Sequence, residues 1–382
     1  MKWELTSIRT GVCKLCGSKS GVISAAIGVC VKCLRERFNE ARSIVDESRR
    51  TLRSKYGLPL IPPRGSGLTC SFCSNKCSIP SEGKGYCGVV CNNYGKLSYL
   101  TGSFRKAVGL YYYDPLPTNC VADWVCPGCT GIGYPKYSLS PRGPERGFYN
   151  IAVFYGACNL DCLYCQNWEY REMASRGKPV LLVEDLVSAV NERTTCVCFF
   201  GGDPGPQAIH ALMAARSMVR RAEEIGLKIF RVCWETNGLM SPGIVNEVTE
   251  LSLSTGGVVK VDVKAWSPEV YYALTGNYGR DVFKAVERIA ERFSERPKPP
   301  LLVISTLLVP GYVDEVEVEG IAKFIAELNK EIPFRLLAFH PDYAMIDLPP
   351  TSRSHARAAY SIALRHGLTN VSIGNWWLLR DY

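Results

Sequence analysis

Eighteen cysteines in a chain of 382 residues are the feature that most limits how this sequence can fold. Fifteen of them fall in short-spaced clusters, and three stand apart at positions 196, 198 and 233. In a reducing compartment such clusters bind metal more often than they form disulfides, although disulfides do persist in the cytosol of hyperthermophiles. The spacing therefore favours several metal sites, with disulfides as the alternative.

The remaining composition is that of a folded protein rather than a mainly disordered one. Hydrophobic residues make up 47% and charged residues 21% of the chain. No apolar run approaches the roughly 18 residues that a membrane span needs. The start of the chain, MKWELTSIRT, has no apolar signal region. We therefore expect a cytoplasmic protein without a membrane partner.

The net charge of +9 is unevenly distributed. Residues 1–150 contain 21 Lys and Arg against 9 Asp and Glu, a net +12, whereas residues 151–382 contain 24 against 27, a net −3. A basic front part suits nucleic acid. However, twelve cysteines lie in the same part, and metal-bound cysteines are thiolates. The basic excess is therefore partly counter-charge, and nucleic acid stays open as a less favoured partner.

The chain divides into three predicted regions. Residues 1–57 contain two C-x2-C pairs and a stretch without Gly or Pro, which predicts zinc-ribbon-like knuckles plus an exposed helix over 34–56. A Pro/Gly linker follows. Residues 68–147 are rich in Gly, Tyr and Cys, which predicts a cysteine-rich auxiliary metal module held by metal rather than by a core. Residues 148–382 form the third region.

In the third region, strand-like apolar runs alternate with helical patterns. The predicted strands are 150–155, 196–200, 228–234, 258–263, 301–308, 334–339 and, less regularly, 370–373. The predicted helices lie near 184–192, 206–226, 242–253, 282–294, 314–330 and 353–366. Such alternation implies a parallel sheet with helical crossovers. The predicted fold is α/β, a partial (β/α)6 TIM-like barrel with a small metal-stabilised N-terminal module.

The sharpest motif is GACNLDCLYCQNW, which places Cys158, Cys162 and Cys165 directly after the first strand of the barrel. Parallel sheets carry their sites at the carboxyl ends of the strands. Three thiolates at C-x3-C-x2-C spacing can hold three irons of a 4Fe-4S cluster and leave the fourth iron open for catalysis. The alternative is a zinc site that borrows a fourth cysteine.

This loop resembles that of the radical SAM (S-adenosylmethionine) superfamily, in which an aromatic residue, here Tyr164, precedes the last cysteine. The next strand ends in CFFGGDPGPQ, which is similar to the family's GGEP-type element with Asp in place of Glu. By this resemblance, the backbone of Gly201 and Gly202 and the acidic Asp203 approach the amino group of SAM.

The later strands end in WETNG, VDVKAW, LLVPGYVD and RLLAFHPDY. They resemble the pyruvate formate-lyase activating enzymes and the archaeal AmmeMemoRadiSam-type proteins over residues 148–375. The resemblance implies that five side chains approach bound SAM: Glu235, Thr236, Asp262, Lys264 and His340. Structural alternatives remain open: a buried Asp–Lys pair, a histidine satisfied in the core and a helix-capping Glu. Cys196, Cys198 and Cys233 are interpreted as core residues.

Twelve cysteines precede the barrel. Cys13, Cys16, Cys30 and Cys33 form C-x2-C-x13-C-x2-C, which predicts a closed zinc site, with iron or two disulfides as alternatives. Cys70, Cys73, Cys77 and Cys87 resemble the amino-terminal element of the AmmeMemoRadiSam-type proteins. The other four are Cys91, Cys120, Cys126 and Cys129. The sequence favours at least one auxiliary iron–sulfur cluster among these eight, with zinc as the alternative, and does not say which four belong together.

The resemblance implies an oxidoreductase that reductively cleaves SAM at the cluster held by Cys158, Cys162 and Cys165. The 5′-deoxyadenosyl radical so formed takes hydrogen from a substrate, such as a glycyl position on a partner protein docked on the N-terminal module. The electron donor would be a ferredoxin or flavodoxin. Two alternatives remain: a radical SAM enzyme that modifies RNA, and a non-catalytic iron–sulfur relay or adaptor protein.

Overall fold

A nine-stranded sheet organises the computed structural model, which describes residues 10–382. The first nine residues of the predicted knuckle region lie outside the described residues. The strands of this sheet run in the order β15-β14-β13-β12-β11-β10-β8-β7-β9. Their bounds are β7 Lys106–Pro115, β8 Tyr149–Tyr155, β9 Val180–Leu182, β10 Thr194–Gly201, β11 Arg231–Thr236, β12 Val259–Asp262, β13 Leu302–Leu308, β14 Phe334–Ala338 and β15 Val371–Gly374.

Seven neighbouring strands, from β8 to β15 without β9, pair in parallel. In the part of the chain that the structure describes, no pairing joins β15 to β9, so the barrel is open. Helices cross between the strands, as the alternating pattern predicts. The helices are α1 Val31–Glu36, α2 Phe38–Ser54, α3 Pro127–Thr130, α4 Tyr170–Arg176, α5 Val183–Ser188, α6 Ala208–Glu224, α7 Pro242–Thr255, α8 Pro268–Thr275, α9 Arg280–Ala290, α10 Glu315–Leu328 and α11 Arg353–Arg365. The predicted fold class is confirmed.

Six short strands form three separate antiparallel hairpins in the front part. They are β1 Gly11–Val12 with β2 Lys19–Ser20, β3 Leu68–Thr69 with β4 Ser78–Ile79, and β5 Val90–Asn93 with β6 Lys96–Tyr99. Each brings cysteines or their neighbours together over a short loop. None of the helices in residues 10–382 is both long and apolar enough to pass through a bilayer.

The sheet extends further towards the N-terminus than the sequence indicates. The ten-residue strand β7 pairs antiparallel with both β8 and β9, so the boundary predicted at residue 148 falls between two paired strands. The sequence conceals β7 because its KAVGLYYYDP run lies among Gly, Tyr and Cys and no helix follows it. The expected single helix over 34–56 is instead two helices, since the backbone of Arg37 leaves the helical region.

The 33 residues between β7 and β8, numbered 116–148, fold beneath the barrel and fill its amino-terminal mouth. Glu145 of this segment forms a buried ion pair with Arg231 of β11, at 2.7 Å. Asp123 pairs with Arg335 of β14, and Trp124 lies under the same guanidinium. We call residues 116–148 the floor segment.

The N-terminal region packs on the opposite, carboxyl-terminal side of the barrel. Helix α2 buries one face every fourth residue: Ala41, Val45, Arg49 and Arg53. This four-residue spacing places them in a single row. The loop before α1 is tied to the barrel by Asp347, whose carboxylate accepts hydrogen bonds from Ser24 Oγ at 2.9 Å and from the Ala25 amide at 2.7 Å.

Candidate functional site

The three cysteines of the C-x3-C-x2-C loop lie together at the carboxyl end of β8. Cys158 and Cys162 are buried and Cys165 is half-buried. All three line a cavity of about 660 Å³ that also takes in the carboxyl ends of the neighbouring strands. Burial raises the pKa of the Cys162 thiol to about 12 and that of the Cys158 thiol well above its usual range. Because thiolates are the metal-binding form, metal binding here would release protons.

A buried carboxylate holds the cysteine loop in place. Asp161 is 0% exposed and accepts two hydrogen bonds from Arg171, at 2.8 and 3.0 Å. Arg49 and Arg53 of α2 also approach it, each at 3.6 Å. Burial alone would raise the pKa of Asp161, but these three guanidinium groups outweigh it and lower the pKa. Three cations around one anion leave the surroundings of the loop positive, which suits a site made of thiolates.

The turn after β10 needs glycine at two successive positions. Gly201 has φ +110°, which side-chain-bearing residues rarely adopt. A Cβ on Gly202 would lie 2.2 Å from the carbonyl oxygen of Ala157, and Ala157 immediately precedes the first cysteine of the loop. The turn therefore packs backbone against backbone beside the cysteine loop.

The carboxylate of Asp203 forms hydrogen bonds within this turn and with the residues at the end of β11. It accepts hydrogen bonds from the amides of Gly205 and Asn237, both at 2.7 Å, and from the hydroxyl of Thr236 at 3.0 Å. Burial outweighs these bonds and raises the pKa of Asp203 to about 6. Asp203 and Thr236 both line the cavity, but these two predicted residues bind each other.

Asn159 and Asn237 are site residues that the sequence argument missed. The side-chain amide of Asn237 lies 3.8 Å from the Cys158 sulfur and donates to Asn159 Oδ1 at 2.7 Å. Both residues stand within motifs already quoted, GACNLDC and WETNG. The two asparagines were therefore visible in the sequence. Their contacts orient the cysteine loop, and a search for ligand-binding residues does not find such a role.

Asp262 and Lys264 form an ion pair on one side of the cavity. Burial lowers the pKa of Lys264, but the charge of Asp262 outweighs it and raises the pKa, so the amine stays protonated. The other oxygen of Asp262 and the hydroxyl of Tyr164 are buried without a hydrogen-bond partner. Asp262 and Lys264 thus form the buried pair that was the structural alternative, and both residues also line the cavity.

Glu235 also lines the cavity, deeper in the barrel. Its carboxylate pairs with Lys260 of β12 at 3.0 Å and does not cap a helix. Lys260 is 3% exposed and is a third residue that the sequence argument missed. Its nitrogen also lies 3.1 Å from the Cys198 sulfur. Cys196, Cys198 and Cys233 are buried, as predicted.

His340 lies two residues beyond β14 and is half-buried. Its Nδ1 is 3.1 Å from Asp342, and it is absent from the described lining of the cavity. Of the nine predicted SAM-binding residues, the cavity therefore brings together eight: Tyr164, Gly201, Gly202, Asp203, Glu235, Thr236, Asp262 and Lys264.

The cysteines of the front region form a compact site. The sulfurs of Cys13, Cys16, Cys30 and Cys33 all lie within 4.8 Å of one another, and those of Cys16 and Cys30 are 3.8 Å apart. Within residues 10–382 no other group of three or more His, Cys, Asp or Glu meets this spacing. We call this group the knuckle site.

Seven of the eight remaining cysteines fall in two groups, and the eighth, Cys91, lies apart from both. Cys70 and Cys77 face each other across the β3–β4 hairpin, where the Cys70 amide donates to the Cys77 carbonyl at 2.8 Å, and Cys73 lies in the loop between them. Cys87 follows Tyr86, whose amide lies 3.4 Å from the Cys77 sulfur. The hairpin around them contacts the cysteine loop, since Asn75 donates to the carbonyl of Asn159 at 2.7 Å. The floor segment carries the other group: Cys120, Cys126 and Cys129. Cys91 lies apart in β5.

Comparison with known proteins found relatives by sequence and by structure. The chain is 26% identical over 317 residues to "Uncharacterized protein MJ0808" of Methanocaldococcus jannaschii, covering 81% of each chain. It is 24% identical over 226 residues to "Putative glycyl-radical enzyme activating enzyme MJ1632" of the same organism, covering 58% of this chain and 79% of that one. A crystal structure of a domain of pyruvate-formate lyase-activating enzyme from Bacteroides vulgatus superposes with a TM-score of 0.36 at 20% identity, covering 47% of this chain and 98% of that one.

The family model gives the assignment. Residues 152–325 match the model of the radical SAM superfamily, a range that begins in β8 and ends in α10. This range contains the cysteine loop, the glycine turn and the residues Glu235, Asp262 and Lys264. The predicted resemblance is confirmed. Residues 152–325 of this chain therefore form a domain of the radical SAM type.

Proposed function

We propose that this protein is a radical SAM enzyme of activating-enzyme type that takes hydrogen from a position on a partner protein, such as a glycyl residue. One observation carries the proposal: three thiols, two of them buried and that of Cys165 half-buried, line a cavity of about 660 Å³. Two buried polar atoms without partners, Tyr164 Oη and Asp262 Oδ1, belong to residues that line the same cavity.

The residues fit a 4Fe-4S cluster and SAM by their chemistry. Thiolates are the usual iron–sulfur ligands, and three of them leave one iron position for another ligand. Cys158, Cys162 and Cys165 would hold the cluster. The glycine turn leaves backbone groups unshielded beside it, and Lys264, Asp262 and Glu235 offer charges of both signs, as the amino and carboxylate groups of SAM require.

When bound, the cluster and SAM supply a one-electron reductive cleavage that yields methionine and a 5′-deoxyadenosyl radical. The residues of the chain hold and shield this chemistry. Asp161 and Arg171 fix the cysteine loop, and Asp203 fixes two turns against it. The floor segment closes the far mouth of the barrel, so water and oxygen are excluded from that side.

The choice of a protein substrate rests on the relatives and on the front region. MJ1632 is described as an enzyme that activates a glycyl-radical enzyme. The knuckle site lies on the carboxyl-terminal side of the barrel, as the cysteine loop does, and is tied to the barrel through Asp347. We propose that the partner docks there and that a cytoplasmic ferredoxin or flavodoxin donates the electron.

The spacing of the sulfurs supports zinc at the knuckle site. Four ligands at about 2.3 Å from one tetrahedral ion lie about 3.8 Å from each other, and the Cys16–Cys30 separation is 3.8 Å. For the second group we propose an auxiliary iron–sulfur cluster on Cys70, Cys73, Cys77 and Cys87. No three of these sulfurs fall within 4.8 Å of one another, whereas a cubane binds each cysteine through a different iron.

The experiment is to measure 5′-deoxyadenosine formed from SAM by the anaerobically reconstituted, reduced protein. We expect Cys162→Ala to abolish product formation, because the loop then offers two thiolates, and to leave zinc at the knuckle site unchanged. Cys196→Ala, which removes a buried strand cysteine at the start of β10, is the matched control and should cleave SAM at the parent rate.

Formation of deoxyadenosine by the Cys162→Ala protein at the parent rate would contradict the cluster assignment. A parent protein that contains iron yet cleaves no SAM would favour the relay or adaptor alternative. RNA that copurifies with the protein and dissociates at raised salt would favour the RNA-modifying alternative.

A further inference from the structure

Three cysteines of the floor segment have no part in the proposed SAM site. Cys120, Cys126 and Cys129 are carried by a segment that begins after β7 and passes under the barrel. Cys120 nevertheless lines the same cavity as the cysteine loop, together with Asp123 and Trp124. The cavity therefore has cysteines at both of its ends.

The floor cysteines are held close together by the local backbone. The Cys120 amide donates to the carbonyl of Thr118 at 3.0 Å, and the Cys129 sulfur lies 4.0 Å from the same oxygen. The Cys129 amide donates to the carbonyl of Cys126 at 3.1 Å. Since no three ligand atoms here meet the spacing of the knuckle site, the group does not have the geometry of a single tetrahedral ion.

The side of Cys120 that faces the barrel is polar rather than thiol-rich. Lys260 Nζ lies 3.3 Å from the Cys120 sulfur and 3.1 Å from that of Cys198. Glu235 is 3.6 Å from Cys120 and 3.0 Å from Lys260. A buried ammonium thus lies between the sulfurs of Cys120 and Cys198, so the barrel side of Cys120 meets an ammonium and a carboxylate.

We propose that Cys120, Cys126 and Cys129 hold a second iron–sulfur cluster at the floor of the barrel, with one iron open to the cavity. That iron would bind a nitrogen or oxygen donor of the substrate, and the Lys260–Glu235 pair would contact the neighbouring polar group. The cluster itself is independent of the proposed SAM chemistry; only its role towards the substrate rests on the proposed function.

Iron, sulfide and zinc are counted in the full-length protein after anaerobic reconstitution. We expect Cys126→Ser with Cys129→Ser to lose about four irons per chain while zinc and the rate of SAM cleavage per remaining cluster stay at the parent level. Unchanged iron, or loss of zinc instead, would overturn the proposal. Should the double variant misfold by circular dichroism, Cys129→Ser alone provides the same count.

The open position is tested with cyanide as the probe. In a Cys162→Ala background, ¹³C-labelled cyanide should give a ¹³C hyperfine coupling to the reduced cluster, and adding Cys126→Ser with Cys129→Ser should remove it. Absence of the coupling overturns the open position. So does loss of about four irons in Cys198→Ala or Cys233→Ala, since that strand cysteine would then be the fourth ligand. A parent protein that fails to cleave SAM but gives these results refutes the proposed function and leaves the floor cluster standing.

Discussion

The knuckle site and the cysteine loop are both built from cysteines, but they differ in the spacing of the sulfurs and in their access to a cavity. In the knuckle site four sulfurs lie within 4.8 Å of one another and Cys16 is exposed. In the cysteine loop three thiols, two buried and one half-buried, stand farther apart beside a large cavity. A closed tetrahedron leaves no position for a substrate, whereas a wider triad beside a cavity does. Under the proposed function, spacing and surroundings, rather than the number of cysteines, separate the scaffold site from the catalytic one.

The two centres also differ in what stabilises them. The knuckle region is tied to the barrel by contacts at its edge, such as the hydrogen bond from Ser24 to Asp347. The cysteine loop is fixed by Asp161, on which three arginines converge, two of them from the front helix α2. The front region is therefore part of the structure that supports the loop, and not an independent appendage.

The largest expected effect follows from removing that carboxylate. Asp161→Ala leaves Arg49, Arg53 and Arg171 buried without a counter-charge, which costs about 3–5 kcal/mol in comparable buried pairs. We expect a loss of that size in the free energy of unfolding, measured by urea denaturation, together with loss of iron from the loop.

The control for this prediction lies at the start of α2, the helix that carries Arg49 and Arg53. Glu40→Ala removes the partner of Arg37 in an exposed pair and should leave stability unchanged. If Asp161→Ala unfolds at the same urea concentration as the parent, the loop does not depend on α2 and the contrast with the knuckle site fails.

Asp203, a second buried carboxylate at the carboxyl end of the strands, has its pKa shifted in the direction opposite to that of Asp161. Burial raises the pKa of Asp203 to about 6, above the roughly 3.9 of an unfolded Asp. The folded apoprotein therefore holds the proton more tightly than the unfolded chain, so ionisation of Asp203 makes stability fall as pH rises from about 4 to 6, by at most about 3 kcal/mol.

Asp203→Asn should remove this contribution, so the difference in unfolding free energy between variant and parent apoprotein should change across that pH window and level off above it. Urea titrations at several pH values measure the difference. A constant difference from pH 4 to 7 would show that Asp203 keeps an ordinary pKa.

The sequence predicted the barrel and the cysteine loop because their signals are local. Alternating apolar runs mark β8 and β10 to β15, and C-x3-C-x2-C marks the loop by spacing alone. It did not predict β7, since pairing with β8 depends on contacts across 33 intervening residues. Lys260 was missed for a related reason: within VVKVDVK it is one residue of an apolar strand, and only the floor segment makes its surroundings polar.

The same distinction between local signals and distant contacts applies to the site residues. The side chains of Asp203 and Thr236 were expected to contact SAM, and they also bond to each other. The sequence motifs do not reveal this bond, because the two residues follow different strands and come together only in the folded sheet. The predicted domain boundaries and the individual SAM contacts stay predictions until the loaded protein is measured.

The next effect in size concerns the glycine turn. Gly202→Ala places a Cβ 2.2 Å from the Ala157 carbonyl, so the turn and the cysteine loop must move apart. We expect affinity for SAM to fall at least about tenfold, about 1.4 kcal/mol, with iron content retained, as measured by equilibrium binding. Gly243→Ala is the control, since nothing lies within 4 Å of the added carbon in α7. Equal affinity in both variants would mean that the turn does not border the SAM position.

The smallest effect on chemistry is expected at the knuckle site, and it tests the comparison most directly. Cys16→Ser should lose zinc, because one thiolate of the closed set is gone, and the front loops should become more susceptible to proteolysis. The rate of deoxyadenosine formation without a partner protein should stay within about twofold of the parent, less than 0.5 kcal/mol in activation free energy, because the arginines that support the cysteine loop come from α2 and α4. A proportionate loss of zinc and of SAM cleavage would show that the knuckle site, too, belongs to the catalytic centre.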